Sequence, residues 1–149
     1  TPKSPPAWAA EATMTPATAP AATQQAVEAC RDALNAEAQT GTILFATSSW
    51  DVLPESFRTL DKIAKIAKDC SAGFVIEVGG HTDNTGKATS NKTISELRAQ
   101  SVVKYLARAG VDAGKLKAVG YGQDNPVGDN GTVAGRRQNR RIAFIVTAN

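Results

Sequence analysis

From about Thr23 onward the apolar residues switch repeatedly between helical and strand spacing, and no other feature narrows the fold as much. Val27, Cys30 and Leu34, with Ala26 and Ala33 beside them, predict a short amphipathic helix. The run Thr-Ile-Leu-Phe-Ala at 42–46 follows Gly41 and reads as a strand. Pro54 suits the first turn of a second helix, whose apolar face is Phe57, Leu60, Ile63, Ala64, Ala67 and Cys70. Phe74 to Val78 is a strand bounded by Gly73 and by Gly79-Gly80. A polar loop from Gly80 to about Lys92 then leads to a helix. Thr93 and Glu96 fit a capping box at its start, and Gly110 fits a left-handed cap at its end. A short strand at about 117–121 and a polar loop at 122–138 precede a last strand at about 140–147. There Ile142, Phe144 and Val146 alternate with Ala143, Ile145 and Thr147. The order α-β-α-β-α-β-β predicts an α+β, two-layer sandwich with helices on one face of a mixed four-stranded sheet.

Residues 1–23 differ in kind. They are rich in Ala, Pro and Thr, and Pro2, Pro5, Pro6, Pro16 and Pro20 forbid a sustained helix. They read as a flexible linker or tail ahead of a folded domain at 24–149, with Trp8 able to dock loosely onto that domain. A length of 149 residues accommodates one such domain and its tail. The net charge of +3 and pI near 9.0 suit attraction to an anionic polymer but are too weak to argue for nucleic acid. No apolar run approaches the roughly 20 residues of a membrane span. No basic-then-apolar leader opens the sequence, so an exported protein would be represented by its mature form or by an excised fragment.

Several chemical readings fail on spacing. Gly86-Lys87 resembles part of a phosphate loop, but His81 stands where the first glycine belongs and Ala88 where Ser or Thr belongs. Gly120-Tyr121-Gly122 begins like a dinucleotide fingerprint, yet Asn125 holds the third glycine position. His81 has no nucleophile elbow to serve and reads as a hydrogen-bonded structural residue, so no enzyme activity is expected. One histidine and two cysteines fall short of the four ligands of a structural zinc site unless Asp or Glu makes up the number, and neither metal nor cofactor is expected. Arg136, Arg137, Arg140 and Arg141 lack interleaved aromatics, which argues against nucleic acid. On a strand Arg140 and Arg141 would point to opposite faces, so only one would enter a given site. Cys30 and Cys70 read either as buried thiols or, in an oxidising compartment, as a disulfide. Closing a loop of about 40 residues would restrict the unfolded chain by roughly 4 kcal/mol in the entropy model.

What survives is a charge pair. Asp83 lies just past a strand end in Gly-His-Thr-Asp-Asn-Thr-Gly, and Arg98 lies 15 residues on, in the helix beyond the loop. A loop that folds back brings both to one cleft. The bland alternatives are a mutual salt bridge and a turn-forming role for Asp83.

Over about residues 40–147 the sequence resembles the OmpA-like domain family, which includes Pal-type and MotB-type members. The resemblance is carried by Gly80-His81-Thr82-Asp83 with Gly86, by Asn91, Ser95, Arg98-Ala99 and Val102, and by Gly120 and Asn125-Pro126. It closes with Gly135-Arg136-Arg137-Gln138-Asn139-Arg140-Arg141-Ile142. The family's usual aspartate after the first-strand phenylalanine is Ala46 here. The cysteine pair is similar to that of some actinobacterial members, which favours the disulfide. The resemblance implies non-covalent recognition of peptidoglycan through the meso-diaminopimelate residue of its stem peptide. Asp83 would accept the ligand's ammonium and Arg98 would grip a carboxylate, with Thr85, Asn91 and Arg140 completing the polar cradle. It further implies a tether on the periplasmic face of the envelope, associated with the outer membrane. The membrane would be reached only through an N-terminal anchor outside this sequence. The alternative is an envelope protein-interaction module with a Tol-type partner, as in Pal-like members.

Overall fold

The computed structural model describes residues 21–46, 49–70 and 73–148. The expected tail, with Trp8, lies outside the described residues except for 21–23, which open the first helix. Helix α1 spans Ala21–Gly41 and buries Val27, Cys30, Leu34 and Ala38, the stripe that helical spacing dictates. A single 3-10 turn, Pro54–Ser56, runs directly into α2, Phe57–Cys70, so Pro54 does open that helix. Strand β1 is Phe74–His81, α3 is Ala88–Arg108 and β2 is Leu116–Gly122. A short helix α4, Val133–Asn139, precedes β3, Arg141–Ala148. Cys30 and Cys70 form a disulfide that joins α1 to the end of α2 across a 40-residue loop.

The sheet is mixed, as expected, with order β2-β1-β3: β1 pairs parallel to β2 and antiparallel to β3. Helix α3 packs on β1 and β2, while α1 packs on β3 and against α2. Between these layers lies one core built on Leu34, Leu60, Ile63, Ile76, Val102 and Leu106. Phe144 and Val146 of β3 face that core, and Ile145 faces out, which bears out the alternation read there.

Three expectations need correction. The sheet has three strands among the described residues, not four, because 42–46 contributes only an isolated bridge between Phe45 and Val52. Its polar groups are satisfied locally: Leu44 N–H donates to Ser56 Oγ, and Leu53 N–H to Leu44 O. The outer edge of β3 is already engaged. Asn35 on α1 donates to Phe144 O at 2.9 Å and accepts from Phe144 N–H at 2.8 Å, imitating a neighbouring strand. Next, the expected loop at 122–138 contains α4, capped by Thr132 Oγ1 accepting from Gly135 N–H. Its polar sequence carries no apolar periodicity that would have announced it. Finally, α3 starts at Ala88, ahead of the supposed capping box, and Thr93 Oγ1 instead donates to Thr89 O within the helix. Arg98 therefore sits roughly three turns into α3. The helix ends as expected: Gly110 has φ 107°, Val111 N–H reaches Leu106 O, and Gly110 N–H reaches Ala107 O.

Candidate functional site

Strand β1 ends at His81, and the chain turns at once through Thr82 and Asp83. Thr82 N–H bonds Gly122 O, which ties this turn to the end of β2. Asp83 Oδ1 accepts the Thr85 amide at 2.9 Å, the geometry of an Asx turn. Asn91, on the first turn of α3, secures the loop from the other side. Its Nδ2 donates to Thr85 O at 3.0 Å, to Gln123 Oε1 at 3.0 Å and more weakly to Asp83 O at 3.4 Å. Ser95 Oγ, also on α3, accepts from Gly122 N–H, so one helix face fixes both strand ends.

The charge pair suggested by the sequence is completed by a third member. Asp83 Oδ2 is engaged by Arg140 Nη1, not by Arg98. Arg98 is half-buried on α3, its Nε donating to Ser49 O at 2.8 Å and its guanidinium lying 5.0 Å from the Phe45 ring centre. No acceptor among the described residues engages Arg98 Nη1 or Nη2. Burial, then the positive charge of Arg140, lowers the pKa of Arg98. Burial raises the pKa of Asp83, but the Thr85 amide and the Arg140 guanidinium outweigh it and hold the carboxyl below its usual range. Asp83 is thus an anion at neutral pH, with acceptor capacity left after both bonds.

Arg98 and Arg140 border a cavity of about 420 Å³, together with Phe45, Arg137 and Arg141. Both Arg140 and Arg141 reach this wall, contrary to the strand-based expectation. Arg140 is the C-cap of α4, with φ −81° and ψ 90°, so strand alternation does not govern the pair. Arg141 donates to Asn125 O and Asn139 O. Asn139 is fully buried, and its amide holds the adjoining loop by accepting from Val127 and Gly128 N–H and donating to Gly128 O. Arg137 and Arg141 are not among the site residues the sequence suggests. They stand out there by charge density and by their place in the closing Gly135–Ile142 run, neither of which says where a side chain points.

His81 departs from the hydrogen-bonded role expected for it. It is 8% exposed, its ring stacks on Tyr121 at 5.0 Å, and Nδ1 has no partner among the described residues. Burial, with a smaller push from Arg141, lowers its pKa to about 4. The unfolded chain, titrating near 6.5, therefore binds more protons between the two values. The His81 contribution to stability is present above pH ~6.5 and is lost as pH falls toward about 4, by up to roughly 3 kcal/mol. Urea unfolding at pH 7 and pH 4.5 should show a steeper loss for the wild type than for His81→Gln. Parallel losses in the two proteins would remove His81 from the account.

A mixed sheet backed by helices on one face, with arginines lining a cavity and one buried carboxylate paired to Arg140, defines a small α+β domain. Residues 44–140 match the OmpA family, and the chain belongs to that family. Outer-membrane lipoprotein YfiB of Pseudomonas aeruginosa is 41% identical over 108 residues, covering 71% of this chain and 62% of that protein. Peptidoglycan-binding protein ArfA of Mycobacterium tuberculosis is 35% identical over 106 residues, covering 71% of this chain and 32% of that protein. The chain thus spans about a third to three fifths of the length of these curated relatives. Among solved structures, the peptidoglycan-associated lipoprotein from Burkholderia pseudomallei aligns with a TM-score of 0.63 at 27% identity, over 70% of this chain and 88% of that one. The C-terminal domain of Helicobacter pylori MotB aligns with a TM-score of 0.66 at 26% identity, over 72% and 83% of the two chains. Helix α1, with Cys30, precedes the family match.

Proposed function

We propose that this domain binds peptidoglycan non-covalently, through the diaminopimelate residue of the stem peptide, and so tethers an envelope component to the cell wall. The observation that carries the reading is the juxtaposition of Arg98, whose terminal nitrogens have no acceptor among the described residues, with the Asp83–Arg140 pair. The free end of diaminopimelate bears an ammonium and a carboxylate. Asp83 takes the ammonium, and Arg98 takes the carboxylate in a two-pronged pair. Arg140 holds Asp83 in place and adds positive charge beside that carboxylate. Asn91 and Thr85 act chiefly by fixing the loop that presents Asp83. The domain is a binding module rather than an enzyme, working on the periplasmic side of the envelope. The names of ArfA and of the peptidoglycan-associated lipoprotein support this reading.

The test compares sacculi of two chemistries. Purified domain is expected to co-sediment with meso-diaminopimelate sacculi and to stay in solution with L-lysine sacculi, whose stem peptide lacks the second carboxylate. Equal retention on both sinks the diaminopimelate assignment, and retention on neither sinks peptidoglycan binding.

A second reading, an interaction module for an envelope protein, draws on a different surface. Trp50 is 47% exposed and borders a shallow groove with Ile94 and Leu97. A partner captured through Trp50 and indifferent to Asp83 would favour it.

A further inference from the structure

The cleft holds more positive charge than one zwitterion can use. The 420 Å³ cavity beside Arg98 shares Thr42, Ile43, Arg137, Arg140, Arg141 and Ile142 with a second cavity of about 730 Å³. That second space continues to Asn35 and Gln39 of α1, so the two cavities share a wall built on these arginines. Its arginines are not equivalent. Arg140 is paired with Asp83, the one carboxylate among the described residues in a salt bridge to any of the four. Arg141 donates to two backbone carbonyls. Arg98 is assigned to the diaminopimelate carboxylate. Arg137 is exposed, stands one turn before Arg140 on α4 in the wall common to both cavities, and bonds no acceptor among the described residues. Like charges lining one cavity repel, and the charge of Arg140 already bears on Arg98. A carboxylate beside Arg98 and Arg140 offsets the repulsion between those two and leaves Arg137 without a counter-charge, which a second anionic group would supply.

Resting on the reading above, we propose that Arg137 is a specificity-determining residue that receives a second carboxylate of the same stem peptide, so that the domain distinguishes free-acid from amidated wall peptide. An unmodified stem peptide carries such a group close to diaminopimelate in two places: the α-carboxylate of the preceding glutamyl residue, and the carboxylate at the peptide's C-terminal end. Amidation turns a charged acceptor into a group that presents N–H donors. A guanidinium, which only donates, then loses one of its acceptor oxygens and all of the charge attraction. Arg137 thus reads the modification state of the wall, while Asp83 and Arg98 read the diaminopimelate.

The experiment titrates four compounds calorimetrically into wild type and Arg137→Gln. They are free meso-diaminopimelate, the tripeptide L-alanyl-γ-D-glutamyl-meso-diaminopimelate, its glutamyl carboxamide and its C-terminal carboxamide. One of the two amidations is expected to weaken wild-type binding about tenfold, the size of one lost charge-assisted bond, and to identify the carboxylate by its position. In Arg137→Gln that difference should vanish; affinity for free diaminopimelate should be unchanged if the glutamyl carboxylate is the partner, and should fall if the C-terminal one is, because that carboxylate is diaminopimelate's own. The assignment is overturned if neither amidation matters to the wild type, or if the amide penalty persists in the variant. If no compound binds the wild type, the diaminopimelate reading falls with it. Binding of the tripeptide without amide sensitivity overturns only the role of Arg137.

Discussion

Arg98→Ala is expected to weaken binding of the diaminopimelate stem peptide by about thirtyfold or more, since truncating one partner of a desolvated charge pair costs about 2–5 kcal/mol. Arg98→Lys should recover little of this. A lysine ammonium is a point charge that cannot bind a carboxylate two-pronged. Asp83→Asn should approach the same loss by another route: the side chain can still accept the Thr85 amide, but the charge facing the ligand's ammonium is gone. Arg98 also donates to Ser49 O and packs over Phe45, so Arg98→Ala should lower stability by about 1 kcal/mol as well. Affinity is to be measured by titration with soluble tripeptide, and stability by urea unfolding of the same samples. Undiminished binding by a folded Arg98→Ala protein would remove Arg98 from the site.

Gly80→Ala is expected to destabilise the domain by about 3 kcal/mol or more, at the severe end of overpacking changes, because the obstacle is backbone and not a movable side chain. A Cβ on Gly80 would lie 2.1 Å from the carbonyl oxygen of Ser95, and one on Gly120 would lie 2.6 Å from the Glu96 amide nitrogen. Both glycines let α3 rest directly on β1 and β2. To admit the methyl group, α3 must lift from the sheet, carrying Ser95 and Arg98 with it. Gly80→Ala should therefore also lose stem-peptide affinity under conditions where it remains folded, although Gly80 bonds no ligand group in the scheme above. An unfolding midpoint equal to that of the wild type would show that the helix does not rest there.

The helices and strands that could be read from the chain are those whose burial follows local spacing. The stripe from Val27 to Leu34 and the alternation in β3 each needed only a one-sided core to become what they are. Helix α4 was hidden because it is short and polar, and its stability comes from the Thr132 cap and the contacts of Asn139. The run at 42–46 has the composition of a strand, but a strand needs a free edge. Asn35, 109 residues from Phe144 in sequence, engages that edge first.

The charged cleft divides in the same way. The sequence by itself determined that Asp83 would sit at a strand end in a tight polar turn and that Arg98 would ride on the following helix, because both follow from short-range patterns. It also determined that positive charge would crowd the last loop. Only the tertiary structure decided which arginine meets Asp83, and that it is Arg140 rather than Arg98. It alone brought Arg98, Arg137, Arg140 and Arg141 to one groove. The reason is physical. Spacing along a chain fixes which face of an element is buried, whereas the meeting of charged groups depends on how α3, α4 and the ends of β1 and β3 are set against one another.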